Sequence, residues 1–500
     1  MPQGVWLIAL GASALALFTT ARWGIGITTD SAAYFAMARS LLTEGTVGSV
    51  VHWPPGYPAT LALFGATFDA ARWVNIVLIA ANVLLLAACV LQAGGPRWAA
   101  IAAACYAVIG RDFLQAHISA MSEPLALAGG MGALLLAARG LERDSKRCLL
   151  AGAAIAGLTV LVRYAALIYP VTIATGALLW PAWPIRRRIR AACISAAVGY
   201  SPMLLWAIRN MLVTGTPGRN LATHLISSES ILGGLDVASG WLLPMGHAPV
   251  LRWILGSAVI VGLGVLVTSV LIARRHSAMS LLAGIFIAMY LPFLVVVISF
   301  VDATTPLSGR ILLPALALAL VLILARAPER MTLWIAGALF VVGIQQARYT
   351  APWIEQSRTQ GVYYDGPSWR DSALLSRIRG LPGGVTLYSN GADVIRLLTP
   401  RHALDLPSTF DAATRRRNPA FQREAAALQV GGYVAYFDRL LWRHYIPDIT
   451  ALETQLQLRL VTKTPDGVLY EISGRAQSLA TRPSRLPGSV HRTTERDPIR

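Results

Sequence analysis

The 500-residue chain has few charged residues and almost no lysine. Charged side chains make up 14% of it, against about a quarter in soluble domains, while apolar residues make up 55%. This balance excludes an ordinary soluble protein and predicts a polytopic membrane protein. Lys146 and Lys463 are the only lysines, so the net charge of +18 comes almost wholly from arginine. Such an arginine excess is typical of codon bias and does not predict a nucleic-acid partner.

Cysteine is scarce as well. The four cysteines lie in or beside apolar segments and lack the paired spacing of metal ligands: Cys89, Cys105, Cys148 and Cys193. We therefore expect neither a disulfide nor a zinc site.

Long apolar runs, by contrast, recur along the first 347 residues. At roughly 20 residues per span, they predict about eleven transmembrane helices, at 4–21, 72–92, 98–110 with a short extension, 123–138, a pair within 149–182, 191–208, 251–272, 278–300, 311–325 and 331–347. The apolar run 56–68 is shorter, because a helix of that length rises only about 18 Å against a hydrocarbon core of about 30 Å. We expect a re-entrant or interfacial helix there.

The distribution of arginine predicts which side of the membrane each loop faces, because short cytoplasmic loops are rich in Lys and Arg. If the N-terminus is inside and 56–68 does not cross, every arginine cluster falls on the cytoplasmic side, at 139–147, 186–190, 274–276 and 326–330. Asp30 and Glu123 then face the extracytoplasmic side. The first apolar run lacks a positively charged start, which favours an uncleaved anchor over a cleaved signal peptide.

The composition becomes that of a soluble domain after residue 347. The segments PSWRDSALLSRIRG and ADVIRLLT predict helices, GVTLYSN and GGYVAYFD predict strands, and LRLVTKT and GVLYEIS predict a hairpin around a Pro-Asp-Gly turn. We therefore predict a helical membrane domain over 1–347, a small extracytoplasmic α/β domain over 348–474, and a disordered basic tail over 475–500.

A short amphipathic helix follows the first apolar run. After Asp30, the residues Tyr34, Met37, Ala38 and Leu41 have the spacing of one helical face, which predicts a helix lying along the membrane interface. Asp30 could be the N-cap of this helix or a functional carboxylate, and the two roles are compatible. The sequence DSAA lacks the glutamate that completes a capping box.

Three further charged residues stand at the predicted outer ends of apolar runs. Glu123, followed by Pro124, has a favoured place at a helix start, so it is either a structural cap or a functional acid. Arg163 falls at the turn of a helical hairpin, where it either reaches to the interface or binds a lipid phosphate. Arg310 opens a late helix, where the helix dipole gives a cation no advantage, which favours an anionic ligand.

The segment HWPPGYPATLAL stiffens the chain through its prolines before the run 56–68. His52 could be a metal ligand, although a lone histidine is more often a polar loop residue. Tyr57 could simply be an interfacial aromatic side chain.

Taken in order, these motifs resemble the GT-C superfamily of integral-membrane glycosyltransferases. They are D-S-x-x-Y from Asp30, PPGYP, S-E-P-L at Glu123, R-Y at Arg163 and G-R-I-L-L-P at Arg310. The nearest group is that of the protein mannosyltransferases and aminoarabinose transferases, which is glycosyltransferase family 39 with its RgtA/B/C/D-like relatives. The resemblance covers about residues 1–347, and its motifs are concentrated in 22–165.

The resemblance implies a bacterial inner-membrane enzyme that moves a sugar from a polyprenyl-phosphate donor to an extracytoplasmic glycan, lipid or protein, with inversion. Asp30 would then be the general base or orient the acceptor. Arg163 and Arg310 would hold the phosphate, and Tyr34 and Tyr57 would bind substrate.

The resemblance also implies that Glu123 binds the donor or a divalent cation, Mg²⁺ or Mn²⁺, with His52 as a candidate second ligand. Two departures from the family pattern put such a metal site in doubt. Ser31 follows Asp30 where protein mannosyltransferases often have paired acids, and Trp53 stands where aminoarabinose transferases carry an acid.

A transporter or flippase for a lipid-linked or anionic solute is the alternative function. It predicts ionisable residues near the middle of several spans. Apart from Arg163, the apolar runs carry almost none. A binding module on a membrane anchor is a third interpretation, but anchoring does not need so many spans.

Overall fold

A computed structural model of the chain describes residues 1–48, 50–218, 221–244, 248–273, 277–325 and 332–476. The first part of the chain is helical, with α1 (Gln3–Thr19), α2 (Thr29–Glu44), α3 (Gly56–Leu63), α4 (Phe68–Gln92), α5 (Arg97–Ile109), α6 (Arg111–His117), α7 (Glu123–Glu142), α8 (Lys146–Val162), α9 (Ile168–Leu179), α10 (Ile185–Thr214), α11 (Ser228–Gly240), α12 (Pro249–Ile272), α13 (Ala278–Phe300), α14 (Gly309–Ala325) and α15 (Thr332–Gln360). A 3₁₀ turn (Tyr164–Leu167) joins α8 to α9.

Five of these helices, α4, α7, α10, α12 and α13, are long and apolar enough to cross a membrane. The pair α5 and α6 makes a sixth candidate span, bent by 69° at its break, and α1, α14 and Tyr164–Leu179 are shorter apolar helices. The expectation of a multi-pass helical membrane protein is therefore confirmed, while the count of about eleven spans stays a prediction. Helix α3 has only 8 residues, so its rise of about 12 Å is too short to cross the membrane.

Small residues let the helices of the bundle approach closely. A Cβ on Gly152 of α8 would lie 2.7 Å from the carbonyl oxygen of Ala133 of α7, and one on Gly157 would lie 2.5 Å from that of Gly199 of α10. A Cβ on Gly56 would lie 2.7 Å from the carbonyl oxygen of Leu161, so glycine allows α3 to lie directly against the end of α8. Such contacts are typical of helix packing in membranes.

The face of α2 that the sequence predicts is buried, with Tyr34, Met37 and Ala38 at most 3% exposed. The N-cap of this helix, however, is Thr28, whose side chain accepts from the N–H of Ser31 while Ser31 Oγ accepts from the N–H of Thr28. The interpretation of Asp30 as N-cap is therefore wrong. Thr28 and Ser31 therefore form a capping box. The Ser31 hydroxyl, three residues after the cap, takes the role that usually belongs to glutamate.

The rest of the chain contains short helices and one mixed sheet: α16 (Pro367–Arg370), α17 (Ala373–Arg379), β1 (Leu387–Ser389), α18 (Ala392–Leu398), β2 (Leu404–Asp405), α19 (Phe421–Ala426), β3 (Tyr433–Phe437), α20 (Ile449–Glu453), β4 (Leu456–Thr464) and β5 (Gly467–Arg475). The strand order is β2-β1-β3-β5-β4. Strand β1 is parallel to β2 and β3, while β5 is antiparallel to β3 and β4. The predicted strands and the terminal hairpin are thus present.

One predicted helix of this part is divided. The segment PSWRDSALLSRIRG forms α16 and α17 instead of a single helix. Ser372 Oγ accepts from the N–H of Leu375 at 3.0 Å, so the serine starts a new helix inside the segment.

The chain divides into two compact units. The first comprises 1–379, 393–401 and 411–416, and the second comprises 380–392, 402–410 and the residues from 417 onward. The predicted boundary after residue 347 falls inside α15, because this helix continues to Gln360. The predicted tail lies outside the described residues from position 477, and so do the arginine clusters at 274–276 and 326–330.

Candidate active site

Asp30 lies in the first turn of α2, directly after a segment that is held on two sides. The N–H of Gly26 donates to Ile118 O at 2.8 Å, the N–H of Ala120 donates to Gly26 O at 2.8 Å, and the N–H of Tyr364 donates to Ile27 O at 3.0 Å. These backbone contacts fix where α2 begins. The Asp30 side chain itself remains 35% exposed.

Glu123 is the first residue of α7, with Pro124 beside it, as the sequence predicts. Its side chain is only 5% exposed. Nη1 of Arg163 lies 3.1 Å from Glu123 Oε1, and Nε of Arg310 lies 3.5 Å from the same oxygen. Glu123 is therefore more than a helix cap, since it is the shared counter-charge of two guanidinium groups.

Arg310, the second residue of α14, also faces Asp30, with 3.9 Å between Nη1 and Asp30 Oδ2. Arg163 lies in the turn after α8, which the hairpin interpretation predicts, and it pairs with Glu123 instead of extending away from the protein. The structure thus brings together four residues that the sequence proposes separately: Asp30, Glu123, Arg163 and Arg310. Their formal charges cancel.

Ser122 connects this charged cluster to the aromatic residues behind it. Its Oγ lies 3.2 Å from Tyr34 Oη and accepts from Arg163 Nη1 at 3.2 Å. The Tyr34 ring contacts that of Tyr57 edge to face, with centroids 5.2 Å apart. Burial raises the pKa of both tyrosines above the ordinary value, so both stay neutral. The two rings are almost fully buried and pack beneath the charged cluster. A direct role of either tyrosine in substrate binding stays a prediction.

Beside the cluster, Glu123, Arg163 and Arg310 line a small cavity of about 20 Å³. Its wall includes a stack of Tyr169, Phe286 and Tyr290, with neighbouring ring centroids 4.8 and 5.0 Å apart. The hydroxyl of Tyr290 donates to Ile311 O at 2.7 Å, which ties α13 to the start of α14 next to Arg310. Sequence reasoning misses Tyr290, because nothing in an apolar run distinguishes a residue that faces the site from its neighbours. It includes Ser122 only as part of the S-E-P-L motif and assigns no role to it.

Glu123 and His52 as metal ligands stay a prediction. His52 is exposed, and its ring centroid lies 6.1 Å from that of Trp53 in an edge contact. Among the described residues, no three His, Cys, Asp or Glu side chains cluster in a way that could hold a metal ion. Because guanidinium groups already face one oxygen of the Glu123 carboxylate, the cluster does not fit a divalent cation.

The fold is similar to those of two solved structures. ArnT from Cupriavidus metallidurans bound to undecaprenyl phosphate superposes with a TM-score of 0.54 at 13% identity, over 93% of this chain and 97% of that one. The archaeal oligosaccharyltransferase AglB from Archaeoglobus fulgidus, in complex with an inhibitory peptide and a dolichol-phosphate, gives a TM-score of 0.53 at 12% identity, over 96% of this chain and 75% of that one.

No protein-family model matches the sequence. No curated protein matches it significantly. At 12–13% identity the structural likeness defines the fold alone.

Proposed function

We propose that this protein is a glycosyltransferase that moves a sugar from a polyprenyl-phosphate donor to an extracytoplasmic acceptor. The observation that carries the proposal is the position of Arg310, which faces Asp30 and Glu123 at once while Arg163 faces Glu123. A carboxylate and two guanidinium groups are thereby placed at one site, as this reaction needs.

In the proposed reaction, the acceptor hydroxyl attacks the anomeric carbon of the donor sugar. Asp30 takes the proton of that hydroxyl as the new C–O bond forms, which is general-base catalysis. The bond between the sugar and the phosphate breaks on the opposite face, so the configuration inverts. The departing phosphate gains negative charge, and Arg310 and Arg163 stabilise it.

The two acids have different roles in this proposal. Asp30 is 35% exposed, so its carboxylate can reach an incoming hydroxyl. Glu123 is buried between the arginines and holds their guanidinium groups in place. An arginine buried without such a counter-charge would be costly to the fold.

The structural neighbours support a lipid-phosphate substrate. One is bound to undecaprenyl phosphate, and the other is in complex with a dolichol-phosphate. We propose the same class of donor here, at the outer face of a bacterial inner membrane. The transporter alternative is less well supported, because Glu123 and Arg310 lie at helix starts and not near the middle of a span.

The test compares Asp30→Asn with Asp69→Asn in a sugar-transfer assay with a polyprenyl-phosphate donor in membranes. Asp69 is an exposed aspartate in the first turn of α4, so it matches Asp30 in type and position within a helix. Loss of a general base should lower the transfer rate by about 10²–10⁴-fold, whereas Asp69→Asn should leave it unchanged. An unchanged rate in Asp30→Asn would remove Asp30 from the reaction.

A further inference from the structure

A second and much larger cavity, of about 450 Å³, lies beside the charged cluster. Residues of α4, α5, α6, α7, α11, α12, α14 and α15 line it. Leu127 and Leu313 line both this cavity and the small one next to Arg310, so the two cavities share a wall. Its volume falls within the range of about 300–1,000 Å³ that is typical of small-molecule sites.

The large cavity is polar where the charged residues Arg111, Asp112, Asp236 and Arg252 line it, and this part is called the polar end. Asp236 and Arg252 form an ion pair there, with 2.7 Å between Oδ1 and Nη1, and Arg111 Nη1 donates to Tyr349 Oη at 2.9 Å. The Arg111 guanidinium also lies over the Tyr349 ring, 5.5 Å from its centroid. Both cations of the cavity wall are therefore engaged.

Asp112 is the remaining charged residue of this wall. Within the described part of the chain, no hydrogen bond or ion pair of its carboxylate is found. The carboxylate lies directly against Gly309, where an added Cβ would come 2.0 Å from it. Gly309 directly precedes Arg310 in the sequence. Asp112 therefore lines the cavity close to the charged cluster.

The remaining wall of the cavity is apolar and extends into the helical bundle. It includes Leu86, Ala107, Met131, Leu316, Ala317 and Leu320. On α14 these side chains continue from Leu313 to Leu320, which corresponds to a depth of about 10 Å along the helix.

We propose that this cavity binds the acceptor, and that the acceptor is an amphiphile with a hydroxylated headgroup at the polar end and an apolar chain in the depth of the bundle. The inference rests on the proposed function, since it names the class of the second substrate. Hydroxyl groups donate to unpaired carboxylates such as Asp112. A donor phosphate is disfavoured at the polar end, because Asp112 would repel it and the arginines there already contact Asp236 and Tyr349.

The experiment uses the full-length protein in nanodiscs and measures the binding of radiolabelled methyl, butyl and octyl β-glucoside, with the signal of empty nanodiscs subtracted. Each buried methylene contributes about 0.8 kcal/mol, so affinity should rise about fifteenfold with each added pair of methylenes. Methyl glucoside binding as tightly as octyl glucoside would overturn the proposal in favour of a soluble sugar ligand.

Ala317→Phe fills the cavity and should lower the affinity for octyl glucoside at least tenfold. Ala319→Phe is the matched control, because Ala319 is also buried on α14 but does not line the cavity. Equal octyl glucoside affinity in Ala317→Phe and the parent protein would overturn the proposal.

Asp112→Asn keeps the proposal testable if Ala317→Phe does not fold. It should weaken octyl glucoside binding severalfold and leave the binding of 1-octanol unchanged, and no effect on the glucoside would contradict the headgroup assignment. Binding of undecaprenyl phosphate is measured in the same nanodiscs. If the protein binds undecaprenyl phosphate but not octyl glucoside, the inference about the acceptor is overturned and the proposed donor is not. If it binds octyl glucoside but not undecaprenyl phosphate, only the proposed donor is overturned.

Discussion

Nη1 of Arg310, at the start of α14, lies 3.9 Å from Oδ2 of Asp30, at the start of α2. The same guanidinium lies 3.5 Å from the buried carboxylate of Glu123. One cation therefore joins the two acids, which places the proposed base and the proposed phosphate-binding groups at the same end of the helical bundle.

Arg310→Gln should weaken the binding of undecaprenyl phosphate by about tenfold to a hundredfold, since a hydrogen bond to a charged group contributes about 1.5–3 kcal/mol. Arg310→Lys should recover part of this loss, because lysine keeps the charge but not the fork of donors. Binding in nanodiscs measures the effect. Arg39→Gln, an exposed arginine on α2, is the control, and equal affinities in Arg310→Gln and Arg39→Gln would contradict a phosphate-binding role.

Glu123→Gln should destabilise the helical unit, because it leaves the guanidinium groups of Arg163 and Arg310 without their shared counter-charge. Removing one partner of a fully buried ion pair costs about 3–5 kcal/mol, and we expect less here because Arg163 is 21% exposed. A lower thermal unfolding midpoint in nanodiscs measures this effect. Glu142→Gln is the comparison at the other end of α7, and an equal or larger drop there would argue against a special role of Glu123.

Thr28→Ala should lower both stability and transfer activity. The Thr28 side chain caps α2 immediately before Asp30, and loss of an N-cap costs about 1 kcal/mol. Thr28→Ser should retain both properties. Thr67→Ala removes the cap of α4 and should cost similar stability without a comparable loss of transfer. If the two alanine variants lose transfer equally, the cap at Thr28 does not position Asp30.

Asp365 should make the stability of the protein depend on pH. Burial raises the pKa of its carboxyl from 3.8 to about 7, although it accepts from the N–H of Val362 at 2.6 Å. Between these two values the unfolded chain has lost the proton while the folded protein keeps it, so stability falls as the pH rises from about 4 to about 7. Above about pH 7 the Asp365 carboxyl is deprotonated in both the folded and the unfolded chain, so its effect on stability no longer changes with pH.

Thermal unfolding midpoints across this pH range measure the effect. Asp365→Asn should flatten the profile between pH 4 and 7, because an amide does not titrate. Asp371→Asn, at an exposed aspartate nearby, should leave the slope unchanged. A profile in Asp365→Asn that still falls as steeply as that of the parent protein would assign the pH dependence to other groups.

Much of the local structure could be predicted from the sequence, because its causes are local. The lengths of the apolar runs define the long helices, Pro124 marks the start of α7, and the Pro-Asp-Gly turn defines the hairpin of β4 and β5. The capping box of α2 was missed although it is local, since Ser31 takes the place that glutamate usually has.

Tertiary structure alone decided which of the candidate residues meet. Arg310 reaches Glu123 and Asp30 because helices from distant parts of the chain pack at close range, partly through glycines such as Gly152 and Gly157. The same packing buries Tyr57 and opens the cavity beside Asp112. Sequence periodicity defines which face of a helix is apolar, but the partner of that face depends on how all the helices fill space together.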